Sequence, residues 1–248
     1  MKVKSISPLI ITIVLILSLW ILATEVIGIQ KIFLPSPGMT FKKLIELSQT
    51  NQFWLDVGYS FLRVVLGFLL SIIVSYPLMV LSLYNRAVKD VVFYIVEFFR
   101  YLPIPVFIPL TILWFGVDDY GKIMVVFLGT FAQMIPMYYD SANAMDKKFD
   151  AFTFGLKWSR AKYITRIIIP GSLPAILDNS RLCFGWAWTY LIIAELLGAE
   201  NGIGYAIIRA QRYLASDNIF AYIIVIGIIG VITDRVLIFT KNKAFKWL

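Results

Sequence analysis

The sequence predicts an all-α integral membrane protein of six transmembrane helices, and three observations carry that reading. Hydrophobic residues fill 60% of the 248 positions and charged residues only 15%, a balance outside the range of soluble domains. Uncharged runs of bilayer-crossing length recur, since a helix rising 1.5 Å per residue needs about 20 apolar residues to cross a hydrocarbon core of about 30 Å. Between those runs, no polar stretch exceeds roughly 40 residues, too few for an independent soluble core. The chain is therefore one transmembrane domain, residues 1–248.

The spans follow in order. Lys2 and Lys4 precede an uncharged run from Ser5 to Thr24, which lacks a small-x-small cleavage site before Glu25 and so predicts an uncleaved first span over about 5–27. Residues 64–85 form the second, with Pro77 as a kink that neighbouring helices must accommodate. The third, about 91–116, contains Glu97 and Arg100, and Pro103, Pro105 and Pro109 prevent a straight helix. The fourth covers about 121–142, the fifth about 176–198 with Asp178, Arg181 and Glu195 inside it, and the sixth about 219–240.

Lysine and arginine set the orientation, because cytoplasmic loops retain positive charge during insertion. With the N-terminus inside, thirteen fall on the cytoplasmic side and seven on the other, which predicts cytoplasmic N- and C-termini and accounts for much of the net charge of +8 without nucleic acid. The largest cytoplasmic segment is then residues 143–175, also the most basic. Its pattern is helical: Phe149, Phe152 and Leu156 share one face, and the apolar set resumes at Ala161, Ile164 and Ile168 before Pro170 and Pro174, which are expected to stop the helix. Such a helix either lies on anionic lipid headgroups or docks a cytoplasmic partner.

The stretch WSRAKYITRIIIPGSLPAI at 158–176 resembles the cytoplasmic coupling loop of bacterial binding-protein-dependent ABC importer permeases, where a basic run ending in prolines follows a Glu-Ala-Ala sequence. FIPLTILWFG at 107–116, LPSP at 34–37 and AELLGAENGIGYAIIRAQRYLASDNIFAYIIVIGIIGVITDRV at 194–236 resemble further parts of the same family, in its nitrate, sulfonate, taurine and bicarbonate branch. The resemblance implies a type I importer permease fold in the bacterial inner membrane, with a coupling helix between spans four and five. It also implies two permease chains acting as a homodimer, two cytoplasmic ATPase subunits, a periplasmic or lipid-anchored solute-binding protein, and as substrate a small anion such as nitrate, bicarbonate, sulfonate or taurine, although members that carry thiamine precursors or other organic solutes are similar. The chain itself needs no cofactor; ATP and magnesium belong to the ATPase. The residues that the resemblance implies for coupling to the ATPase are Asp150, Phe152, Gly155, Lys157, Ser159, Arg160, Pro170 and Pro174. The core of the motif departs from the family: its Glu-Ala-Ala falls on Ala151, Phe152 and Thr153 and its glycine on Lys157, while Gly155 lies two residues early and Asp150 stands beside the glutamate's place.

Two other classes are weighed against the importer. GVDDYGK at 116–122 fits the first seven positions of a phosphate-binding loop, but Ile123 replaces the magnesium-binding hydroxyl and no strand precedes it, so ATP hydrolysis needs another subunit. A membrane-embedded lipid enzyme using Glu195 or Asp234 as base has no convincing nucleophile, and with no histidine and only Cys183 the usual metal-ligand sets are missing. A proton-coupled carrier remains the other alternative.

Ionisable groups inside a bilayer need partners or water. Glu97 with Arg100 and Asp178 with Arg181 are spaced i, i+3 and are expected to pair locally, whereas Glu195 and Asp234 lack such neighbours and are expected to meet other helices. Gly202 and Gly204 predict a tight outer turn, or a gate. For the translocation path the candidates are Ser180, Arg181, Trp188, Tyr190 and Glu195 on span five, which combine hydrogen-bond donors with a compensated charge; Arg181 is either an anion contact or half of a structural pair.

Overall fold

A computed structural model describes residues 6–153 and 158–246. All regular structure among them is helical. The first apolar run forms α1 (Ile6–Ile21), which continues through a wide π-turn at Leu22–Val26. A short helix not anticipated from hydropathy follows, α2 (Pro37–Ser48). Its start is local chemistry: Ser36 Oγ accepts the Met39 N–H at 3.4 Å and Pro37 occupies the first turn, where no donor is missed.

Helix α3 (Asn51–Tyr84) begins well before the expected residue 64 and runs on through Pro77. The early start has a cause in its polar residues. Asp56, Ser60 and Arg63 recur at i, i+4 and i+7, and all three are buried, so they mark an inward stripe rather than a water-facing loop. The proline-rich third span is broken, as its composition requires: α4 (Arg86–Tyr101) ends at Leu102, and after a 3-10 turn at Ile104–Phe107, α5 (Ile108–Phe115) leaves at an angle of 94°. Glu97 and Arg100 are exposed on α4 and do not form the expected ion pair. Helix α6 (Asp119–Thr153) is the fourth span, lengthened at the end that leads into the coupling segment.

Pro170 and Pro174 do not stop a helix. The chain is helical without a break from Arg160 to Gly198, through α7 (Arg160–Tyr163), a π-turn at Ile164–Ile168 and α8 (Ile169–Gly198). The π-turn supplies the reason, because Ile169 N–H bonds five residues back to the Ile164 carbonyl, and this shifts the register just where Pro170 has no donor to offer. Pro174 then lies inside α8, as helices packed in a membrane tolerate. After a 49° bend comes α9 (Ile203–Arg212), where a turn alone was expected, and α10 (Ser216–Ala244) is the sixth span.

Helices α3, α6 and α8 pack on one another as the centre, with α4 and α5 against α6, and α2 and α9 against α10 at one end. Buried Val64, Phe68, Met134, Tyr138, Phe184 and Leu191 fill the core, where Phe68 and Phe184 meet edge to face at 5.0 Å. At Gly67 α3 packs closely on α6: a Cβ there would stand 2.7 Å from Val126. The outside is apolar. Leu15, Ile73, Phe98, Ile232 and Phe239 are 59, 66, 65, 57 and 67% exposed, a surface that lipid or another chain must cover. Three single helices (α3, α6, α10) and two bent pairs are long and apolar enough to cross a membrane, and the apolar α1 run adds to them.

Candidate functional site

Among the described residues, three clusters built around ion pairs bear on the predicted sites. The first sits at the end of the bundle that carries α2 and α9, and Glu195 is its centre. This carboxylate is fully buried and receives Arg63 Nη1 at 2.6 Å, Ser60 Oγ at 2.8 Å and the Gly204 N–H at 2.9 Å. Asp56 Oδ1 accepts the Gly202 N–H at 3.0 Å and Ser60 Oγ accepts that of Ile203 at 2.8 Å. The free N–H groups at the start of α9 are thus taken up by side chains of α3 and α8, two of them charged in the sense that the helix dipole favours.

Glycine is required in that turn. Gly202 has φ of +115°, and a Cβ added to it would lie 2.4 Å from Glu195 Oε1; at Gly204 the Cβ would lie 2.6 Å from Glu195 Cβ. Arg63 closes the cluster by donating to Asp119 from Nε at 2.8 Å and to the Asn201 carbonyl at 2.8 Å. One guanidinium therefore ties α3 to α6, α8 and the α8–α9 turn. Lys122, from the decoy stretch 116–122, donates to the carbonyls of Val117 and Asp118 and so closes its own loop.

The second cluster joins α8 to α10 toward the opposite end. Arg181 donates to Asp234 Oδ1 from Nε and Nη2 at 2.9 and 2.7 Å and to Asp178 Oδ1 at 3.2 Å, while Lys241 caps the other Asp178 oxygen. The expected i, i+3 pair is present, but the shorter bonds go to Asp234 on the neighbouring helix. Two cations face two carboxylates, and the group is neutral.

The third cluster shapes the end of α6 and the start of α7. Asp146 takes Arg160 in a bidentate pair at 3.1 and 2.7 Å, and the buried Tyr163 donates its hydroxyl to the Asp146 carbonyl at 3.2 Å. Ser159 Oγ caps α7 by accepting the Lys162 N–H at 3.3 Å. These bonds hold α6 and α7 together as a hairpin within the predicted coupling segment, residues 143–175. Gly155 and Lys157 lie outside the described residues; Asp150 and Phe152 are on the last turn of α6, with side chains also outside the description.

Of the path candidates, Ser180 and Trp188 are buried in the single chain, Ser180 bonded to the Tyr138 hydroxyl at 2.6 Å, and Tyr190 lays its ring over Gly129, where a Cβ would come within 2.3 Å of it. Residue spacing did not bring Asp56, Ser60 and Arg63 forward as partners of Glu195. Their i, i+4, i+7 stripe was the available signal, hidden by starting the span at 64. Among the described residues no group of three or more Cys, Asp or Glu could hold a metal ion.

Residues 64–239 match the family model described as binding-protein-dependent transport system inner membrane component. A Brucella melitensis biotype 1 protein named as a probable ABC transporter permease is 31% identical over 216 residues, covering 87% of this chain and 88% of its own length. The taurine transport system permease protein of Escherichia coli K12 is 27% identical over 241 residues, 95% and 88% of the two chains. A Bacillus subtilis strain 168 protein named "putative aliphatic sulfonates transport permease protein" is 30% identical over 239 residues, 94% and 84%. Among solved structures, the inward-facing MetNI methionine ABC transporter superposes with a TM-score of 0.59 at 16% identity, covering 74% of this chain and 95% of that one, a likeness of fold. These relatives are transport subunits, so the chemistry of ATP lies in another polypeptide and this chain is not an enzyme. The chain belongs to the family of binding-protein-dependent transport system inner membrane components and is the permease subunit of an ABC importer.

Proposed function

We propose that this permease imports a small organic anion of the sulfonate type, working as a pair of identical chains with two ATPase subunits and a periplasmic or lipid-anchored solute-binding protein. The observation that carries the substrate class is that two relatives aligned over 94% and 95% of the chain are named for aliphatic sulfonates and for taurine. ATP and magnesium sit on the ATPase. The basic α6–α7 hairpin faces the cytoplasm with both termini, in keeping with the lysine and arginine bias. Its tip docks on the ATPase, with Asp150, Phe152, Gly155 and Lys157 at the contact.

The geometry supports a mechanical role for this hairpin. Arg160 and Tyr163 bind it to Asp146, and the helix from Arg160 to Gly198 runs unbroken from the hairpin to the α8–α9 turn. A displacement imposed at the tip is therefore carried along one rod to the Glu195 cluster at the far end, rather than being absorbed in a loop. The test is uptake of radiolabelled ethanesulfonate by the complex reconstituted in proteoliposomes with its binding protein. The expected result is accumulation that requires ATP on the ATPase side. Accumulation of methionine but not of ethanesulfonate refutes the substrate class, and accumulation without ATP refutes the importer arrangement.

A further inference from the structure

Among the described residues, Arg100, like Glu97 and Arg235, is a charged residue of an expected span that the fold leaves without an ion pair, and of these three Arg100 lines a cavity. Its expected partner Glu97 does not reach it, and Arg100 makes neither an ion pair nor a hydrogen bond among the described residues, whereas Arg63 and Arg181 each hold two carboxylates. It lies at the break between α4 and α5, where Leu102 and Pro103 are extended, with ψ of 126° and 120°. Backbone that leaves the helix inside a membrane is tolerated where it is buried in protein or lines a water-filled cavity, and here it lines one. A cavity of about 260 Å³ is walled by this break together with Leu128, Gly129, Ala132 and Gln133 of α6 and Tyr190 of α8.

Three features give the cavity a chemistry. Its polar side chains are Arg100, Gln133 and Tyr190, and its lining contains no carboxylate. All three offer donors: the guanidinium fork, an amide NH₂ and a phenol hydroxyl. Among the described residues none of the three has a hydrogen-bond partner, although Gln133 and Tyr190 are half-buried. An arginine held at depth without a partner is costly, and such residues mark solute pathways. The depth is central. Gly129 lies ten residues along α6 from Asp119, about 15 Å at 1.5 Å per residue, half of a hydrocarbon core of about 30 Å.

From this geometry we infer that the cavity at the α4–α5 break is the transient anion site of the translocation path, with Arg100 as the charge that meets the solute and Gln133 and Tyr190 as neutral donors beside it. The inference deepens the substrate reading above and rests on it. The size agrees, since about 260 Å³ is below the range of about 300–1,000 Å³ typical of drug-sized pockets and suits an anion of a few heavy atoms. So does the number of charges: a single uncompensated cation binds an anion while leaving release possible, which conduction requires. Tyr101 and Val106, next in sequence to lining residues, are 87 and 61% exposed. Arg181, the candidate from spacing alone, lacks this property because Asp178 and Asp234 already neutralise it.

The experiment uses the reconstituted complex and labelled ethanesulfonate. A lost charge-assisted hydrogen bond lowers the initial uptake rate at least tenfold in Arg100→Gln, while the yield of assembled complex and the ATPase stimulation by loaded binding protein stay within twofold of wild type. Arg100→Lys recovers part of the rate, and Tyr190→Phe loses less than Arg100→Gln. Arg86→Gln, at the exposed start of the same helix, transports as wild type. An Arg100→Gln complex as fast as wild type refutes the site alone. Loss of assembly in both Arg100→Gln and Arg100→Lys assigns Arg100 a structural role and also refutes it. A wild-type complex that does not take up ethanesulfonate refutes the substrate reading and the inference with it.

Discussion

Replacing Arg63 by methionine should destabilise the permease more than any exposed charge change. The side chain is 4% exposed, and its removal leaves the fully buried Glu195 carboxylate with only Ser60 and Gly204 as donors. Breaking a buried pair from one side costs about 3–5 kcal/mol. For a chain of this size each kcal/mol lowers Tm by about 2–4 °C, so the Arg63→Met protein should melt roughly 6–20 °C lower. Cys183 provides the assay, because it is the one cysteine in the chain and is fully buried: a thiol-activated fluorophore reacts with the purified protein only as it unfolds. The double variant Arg63→Met, Glu195→Gln should recover part of the loss, since no buried carboxylate is then left without its cation. A shift under about 2 °C for Arg63→Met, or a double variant that merely sums the two single losses, refutes the account of this cluster as a stabilising tie.

At the other cluster, Arg181→Gln should lower assembly and uptake together, and the Arg181→Gln, Asp234→Asn pair should restore both, because Asp234 rather than Asp178 makes the shorter bonds; assembly restored without uptake would place Arg181 on the path after all. On the hairpin, Phe152→Asp should reduce co-purification of the ATPase far more than Lys148→Ala, as an anchor in a groove typically contributes more than about 2 kcal/mol and a rim charge less than about 1. Equal losses in the two variants contradict docking through Phe152. For orientation, cysteines placed at Ser159 or Asn242 in a Cys183→Ser background should react with membrane-impermeant maleimide only from the cytoplasmic face, and labelling in cells with an intact inner membrane overturns the assignment.

Much of the architecture could be read from the chain, with instructive exceptions. Local rules account for the breaks around Pro103 and for the turn at Gly202, where a missing donor or a positive φ leaves little choice. They misjudge Pro170 and Pro174, because the π-turn at Ile164–Ile168 changes the register that the proline rule assumes. They also place the start of α3 too late. A hydropathy run ends at a charge, whereas a helix ends where its backbone loses partners, and Arg63 is inside the protein rather than in water.

The sequence by itself determined the membrane class, the order of the apolar helices and the family, since these depend on run length against bilayer thickness and on motifs read along one dimension. Only the tertiary structure decided which charges are spent on one another. Arg63 and Glu195 are 132 residues apart and Arg181 and Asp234 are 53 apart, yet both pairs close to within 2.7 Å, while Glu97 and Arg100, three apart, do not meet. Coulomb attraction depends on separation in space and on burial, and both are set by how helices pack. That Arg100 is left unpaired beside a cavity is therefore legible only once the helices have been packed.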